Sequence, residues 1–181
     1  ERERYANFAE NSRESFLVQF CDDARGVCFD RIEDHFQDPT LRPNQLLAAS
    51  LPYPLLSAEQ SRRMLKAVQR ELITTFGLRS LEPGDAHYHG SYQGDLLSRE
   101  GAAHQGTVWP WWVGPYADAL VRAQGRNPET QNALRRLLKP FEAHLHQYGL
   151  GTVAEMFDGD PPHTARGCLC RAWGVGELLR V

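Results

Sequence analysis

The chain has no excess of positive charge: 20 Lys and Arg stand against 23 Asp and Glu, for a formal net charge of −3. Without a basic stripe there is no counterion release to drive binding to nucleic acid, which is therefore not an expected partner. No apolar run approaches the ~18 residues that span a bilayer, and the opening Glu1-Arg2-Glu3-Arg4 is the reverse of a signal-peptide core. No membrane partner is expected, and a soluble, cytoplasmic setting is. An initiator Met is also missing, although a helical pattern is under way by Tyr5, so the chain is expected to begin inside a longer protein.

Cysteine is sparse. Cys21, Cys28, Cys168 and Cys170 could form two disulfides, or the Cys168-x-Cys170 pair could join nearby histidines on a metal, but neither a C-x-x-C nor an H-x-x-x-H spacing occurs. Cys168 and Cys170 stand among Leu169, Ala172 and Trp173, a setting usual for reduced core cysteines, so structural thiols are expected. His87, His89 and His104 lack a patterned carboxylate partner, so no metal and no other cofactor is expected.

What is present is enough for one core: 181 residues, 41% of them hydrophobic. Apolar residues at Tyr5, Phe8, Ala9, Phe16 and Phe20 follow a helical period and predict a helix over 4–20. Val27-Cys28-Phe29 reads as a short extended piece. Pro43 is placed as the first-turn proline of a short apolar helix that ends at Pro52. Ser57-Ala58-Glu59-Gln60 has the form of a capping box before the stripe Met64, Leu65, Val68 and Leu72, which predicts a helix over 58–73.

From Phe76 to Ala103 glycines interrupt the chain without a sustained period, a length of loop that usually serves function. A helix is expected over 108–124. Another starts at Asn127-Pro128-Glu129 and buries Leu134, Leu137, Leu138, Phe141 and Leu145, and a last one covers 167–180. Residues 152–157 are extended in character. No repeat with a period of roughly 20–50 residues is visible. The expectation is an all-α architecture of helical hairpins, with short extended pieces in the loops.

The densest chemistry lies in His104-Gln105-Gly106-Thr107-Val108-Trp109-Pro110-Trp111-Trp112. Sugars fit such a surface, because their hydroxyls need amide and imidazole partners while their C–H faces lie against indole rings. The plainer alternative is that the tryptophans are core. Glu155, between Ala154 and Met156, would point alone to one face of an extended segment, a setting suited to a general base that activates water. A solvated edge residue is the competing reading. Arg42, Asn44 and Gln45 open the second helix, and Asp95, Ser98, Arg99 and Glu100 precede His104; each could contact substrate or simply be solvated.

Three runs, RPNQLLAASLP (42–52), GLRSLEPGD…SYQGDLLSREGAAHQGTVWPWWVGP (77–115) and GTVAEMFDGDPPHTARGCLCRAW (151–173), resemble the C-terminal catalytic domain of bacterial-type amylo-α-1,6-glucosidases, the glycogen debranching enzymes. The resemblance covers nearly the whole chain. It implies about half of an (α/α)6 toroid, so that 1–181 is a single partial domain, and removal of α-1,6-linked glucose at glycogen branch points by inversion. Glu155 matches the family's general base. Arg42, Asn44, Gln45, His104, Gln105, Trp109 and Trp111 match its glucose-pocket motifs.

The family's acid lies in a Trp-Met-Asp motif, which these residues lack, so the acid is expected from the preceding part of the enzyme. Expected partners are glycogen or a branched α-glucan oligosaccharide, the remaining N-terminal part of the same enzyme, and other copies through exposed helix faces. Ala103 stands where the family has an aromatic residue, and Arg171 and Gly174 replace a usual glutamine and serine. Another toroid hydrolase of glucoamylase or trehalase type, or a non-catalytic carbohydrate-binding fragment, are the alternatives; the latter would change character if Asp95 or Glu100 faced Glu155 at inverting distance.

Overall fold

The computed structural model describes residues 1–181. Seven α-helices are present: α1 (Arg2–Phe20), α2 (Leu47–Ser50), α3 (Ala58–Glu71), α4 (Leu96–Ala103), α5 (Val113–Gln124), α6 (Pro128–His144) and α7 (Ala172–Arg180). Two hairpins, β1 (Cys21–Asp22) with β2 (Val27–Cys28) and β3 (Ile32–Glu33) with β4 (Phe36–Gln37), follow α1. A five-stranded antiparallel sheet runs in chain order through β5 (Ile73–Thr74), β6 (Gly77–Arg79), β7 (Val108–Trp109), β8 (Met156–Phe157) and β9 (Ala165–Arg166). This sheet corrects the purely all-α expectation. Strands of two or three residues show no readable alternation, so of the five only β8, inside the 152–157 piece, is marked as extended by the sequence.

The main core forms where α3 and α2 pack against α5. The stripe Met64, Leu65, Val68 and Leu72 is fully buried, and the Ser57 capping box starts α3 as its spacing predicts, with Gln60 N donating to Ser57 Oγ at 3.2 Å and Ser57 N to Gln60 Oε1 at 3.0 Å. Pro43 opens a 3₁₀ turn (Pro43–Leu46) that continues into α2, and Leu51 leaves helical geometry because Pro52 follows it. Asn127 caps α6 through Thr130 N at 2.9 Å. Of the residues expected to be buried on α6, Phe141 is, while Leu134, Leu137, Leu138 and Leu145 are half-buried.

Three boundaries differ from expectation. The 108–124 helix is a strand, a 3₁₀ turn (Pro110–Trp112) and then α5, because Val108 and Trp109 pair with Phe157 and Leu78 in the sheet. The 76–103 loop contains α4, capped by the Asp95 carboxylate on Ser98 N at 2.8 Å. The last helix starts at Ala172, since Gly167 takes φ +73° and Cys168 N is drawn to Glu155.

Helix α1 buries no residue; Phe16 and Leu17 lean on the core, whereas Tyr5 and Phe8 are exposed. Gly77 cannot be replaced, because at φ +131° a Cβ would stand 2.8 Å from the Trp109 carbonyl oxygen across the β6–β7 pair. No helix is long and apolar enough to cross a membrane. Leu65→Ala should cost about 2–5 kcal/mol and Ser57→Ala about 1 kcal/mol in urea unfolding; equal effects would contradict the assigned core.

Candidate active site

The sheet is the frame of the site. Val108 pairs with Phe157 and Leu78 with Trp109, so the tryptophan run and the Glu155 segment lie on adjacent strands. Phe157, almost wholly buried, stacks on Phe76 at 4.4 Å between ring centroids and meets His144 edge-on at 4.9 Å. His144 is buried too, and its Nε2 accepts from Ala154 N at 3.1 Å, one residue before Glu155. Burial lowers the His144 pKa below its ordinary 6.5, which keeps the ring neutral and able to accept.

A cleft of about 950 Å³ opens beside the sheet. Six of the eight site residues expected from the sequence line it: Arg42, Asn44, His104, Gln105, Trp109 and Trp111. Arg42 is the hub. Its guanidinium donates to Ser80 O at 3.0 Å, His104 O at 2.5 Å and Gln105 Oε1 at 2.8 Å, and its Nε lies 3.4 Å from Asp30 Oδ2. Asp30 also accepts from Asn44 Nδ2 at 2.7 Å. Arg42 therefore joins four chain segments and holds the Gln105 amide, leaving that amide's NH₂ end unengaged by Arg42.

Gln45 does not line this cleft. It is buried, accepting from Cys28 N at 3.1 Å and donating to Arg42 O at 2.9 Å, so it braces Arg42 from behind. Its position next to Asn44 in sequence could not separate the two, because a 3₁₀ turn sends neighbouring side chains to different sides.

The aromatic cluster is divided between the core and the cleft. Trp112 is buried, and Trp109 is buried with its Nε1 donating to Ala103 O at 2.8 Å and to Thr107 Oγ1 at 3.1 Å. Trp111, half-buried, stacks on Trp112 at 3.9 Å and faces the cleft, while the His104 ring stacks on Trp109 at 5.4 Å and 6°. The result is a flat apolar floor with imidazole and amide groups at its edge.

Glu155 also does not line the cleft directly. Its side chain is 10% exposed, its Oε2 accepts from Cys168 N at 2.9 Å, and its Oε1 pairs with the Arg171 guanidinium, which does line the cleft. Arg171 in turn lies over the Trp173 ring at 4.7 Å. In the sequence Arg171 stands out only as a departure from a motif, and Trp173 only as a neighbour of the cysteines.

The cleft carboxylates are Asp30, Asp38 and Asp85, which sequence reading did not single out. The Thr40 hydroxyl, at 2.5 Å, holds Asp38 below the usual carboxylate range with help from the Thr40 N–H and Arg31, against partial desolvation. That is the reverse of what a general acid needs. Asp95 and Glu100 are not in the cleft, and the Asp95 carboxylate is engaged in capping α4. No group of three or more His, Cys, Asp or Glu side chains is arranged to hold a metal; His87 pairs with Asp85 at 3.2 Å. All four cysteines are free; burial pushes the Cys28 thiol up to about 12, whereas Cys168 and Cys170 are exposed and not in the core where their apolar neighbours in sequence would put them.

The family model for amylo-alpha-1,6-glucosidase matches residues 1–180. The chain belongs to that family. Its domain is thus of a glycoside hydrolase family, as the resemblance of the three runs implies. The chain is 28% identical over 119 residues to the glycogen debranching enzyme of Saccharomyces cerevisiae, a match that takes in 62% of this chain and 8% of that protein. Among solved structures, neutral trehalase from Saccharomyces cerevisiae superposes with a TM-score of 0.68 at 16% identity, over 97% of this chain and 30% of the trehalase chain. This domain therefore has the fold of part of a trehalase and spans a small share of either relative.

The His144 contact gives a pH signature at the site's edge. A histidine whose folded pKa is depressed contributes stability that is fully present above its unfolded value, near 6.5, and is lost as pH falls through the folded value. Wild-type stability should therefore decline on acidification below about neutral. Thermal unfolding of His144→Gln should show a shallower decline over the same window; parallel profiles would remove His144 from the account.

Proposed function

We propose that this domain supplies the general base and part of the glucose pocket of a glycosidase that removes α-1,6-linked glucose at branch points of glycogen or a related α-glucan by inversion. The observation that carries the reading is the cleft itself, an indole floor edged by His104 and the Arg42–Gln105 pair, in a chain of the amylo-alpha-1,6-glucosidase family. Glucose offers one apolar face and a rim of hydroxyls. Trp111 would stack against the face, and Asn44, His104 and Gln105 would read the rim.

Inversion needs two carboxyls roughly 6.5–9.5 Å apart, one protonated against the glycosidic oxygen and one ionised to take a proton from water. Glu155 is the base in this reading. Its partners, a backbone N–H and a guanidinium, are those of an ionised carboxylate. The acid comes from a segment outside residues 1–181, because the cleft aspartates are committed to Arg42, Asn44, Thr40, Arg31 and His87.

In the same reading the domain forms about half of an (α/α)6 toroid in a cytoplasmic enzyme. The preceding hairpins cover α1 and the apolar groove between Phe16, Phe20, Leu51 and Tyr53, and self-association takes their place when those hairpins are absent.

The test is glucose release from a glycogen phosphorylase limit dextrin by the full-length protein, with the anomer followed by NMR. Wild type should liberate β-glucose, and Glu155→Gln should lose roughly 10³-fold in rate. Retained activity in Glu155→Gln, or release of α-glucose, would defeat the assignment.

A further inference from the structure

Two groups hold the Glu155 carboxylate, and they differ in how easily they can leave. The Cys168 N–H on Oε2 belongs to a strap fixed at several points: Glu155 N donates to Cys168 O at 3.1 Å, Tyr148 Oη to Gly167 O at 3.2 Å and Thr152 Oγ1 to Leu169 O at 2.7 Å. Removing it means unfolding that strap. The Arg171 guanidinium on Oε1 sits on a flexible stem, 42% exposed, with the Trp173 face as its other support. Trp173 is itself exposed, so the arm can leave without breaching the core.

The order from the cleft inward matters as much. Arg171 and Trp173 line the cleft and Glu155 does not. The oxygen of Glu155 that could meet a water or a ligand is therefore the one Arg171 now occupies.

Resting on the reading of Glu155 as a residue of the sugar site, we propose that Arg171 masks it: the guanidinium occupies the cleft-facing carboxylate oxygen, and a ligand reaches Glu155 only by displacing this arm. Arg171 is then a specificity-determining residue. It disfavours ligands with a positive charge at the sugar ring, since these compete with the guanidinium for one oxygen of Glu155, and it leaves nearly unaffected the neutral sugars, which bind without an ion pair to that oxygen.

A double-mutant cycle on the full-length protein tests this. The probes are a gluco-configured piperidine iminosugar, titrated calorimetrically at a pH where its ring nitrogen is protonated, and glucose. Arg171→Gln should tighten the iminosugar about tenfold and change glucose by less than about twofold, and the gain should vanish in the Glu155→Gln background. Should the glutamine variant lose its thermal transition, Arg171→Met keeps a stem over Trp173 without the charge and carries the same expectation.

Unchanged or weakened iminosugar binding in Arg171→Gln overturns the mask. An equal gain in both backgrounds also overturns it, because that is repulsion by the guanidinium without occupancy of Glu155. Failure of the underlying reading has a separate signature: Glu155→Gln alone would then leave both the binding of each probe and branch-point hydrolysis intact.

Discussion

The site depends on the register of a small antiparallel sheet. Because Val108 faces Phe157 and Leu78 faces Trp109, the segment that carries the tryptophans and the segment that carries Glu155 become neighbours, although more than forty residues, including α5 and α6, separate them in the chain. What holds that register is burial. Phe157 lies between Phe76, Phe141 and His144, and Val108 is wholly enclosed. Met156 and Phe157 are buried in different clusters, and a slip of one residue would send each to the opposite face, so the alternative registers are costly.

On this frame the polar groups are arranged around Arg42. A single guanidinium satisfies two carbonyls, an amide oxygen and, more distantly, a carboxylate, and Gln45 braces its backbone from the core. Each such bond contributes a net ~1 kcal/mol, but leaving the half-buried acceptors unpaired costs more. The arrangement therefore fixes the direction of Gln105 and Asn44 more than it adds stability. In the proposed function the cleft reads the hydroxyl rim of a sugar, which needs that directional control.

The parts of the fold legible in the sequence are those carried by capping and period: the Ser57 box, the Pro43 start, the Asn127 cap and the Met64–Leu72 stripe. The sheet was not, because its strands are too short to alternate. Helix α4 had a readable signal, Asp95 before Leu-Leu-Ser-Arg-Glu, that the surrounding glycines obscured. In the cleft, residue type was informative for His104, Gln105, Trp109 and Trp111, since amide, imidazole and indole in one run have few purely structural uses. Asp30 and Asp38 carry no sequence signal, and Arg171 shows only as a departure from a motif, because their role comes from tertiary partners, and a charged residue in a loop looks the same in sequence whether it is solvated or paired.

Glu155 combines the two situations. Its segment reads as extended, and only β8 just after it is regular, while the strap at 167–169 and the Arg171 arm define its surroundings. The most direct measurement is a crystal structure of full-length Glu155→Gln protein with a branched α-glucan oligosaccharide. A terminal glucose should be stacked on Trp111, its rim toward His104 and Gln105, with a water between the side chain at position 155 and the anomeric carbon. A carboxyl from outside this domain should lie roughly 6.5–9.5 Å from position 155. A sugar bound elsewhere, or one whose anomeric carbon faces away from position 155, would contradict the proposed site.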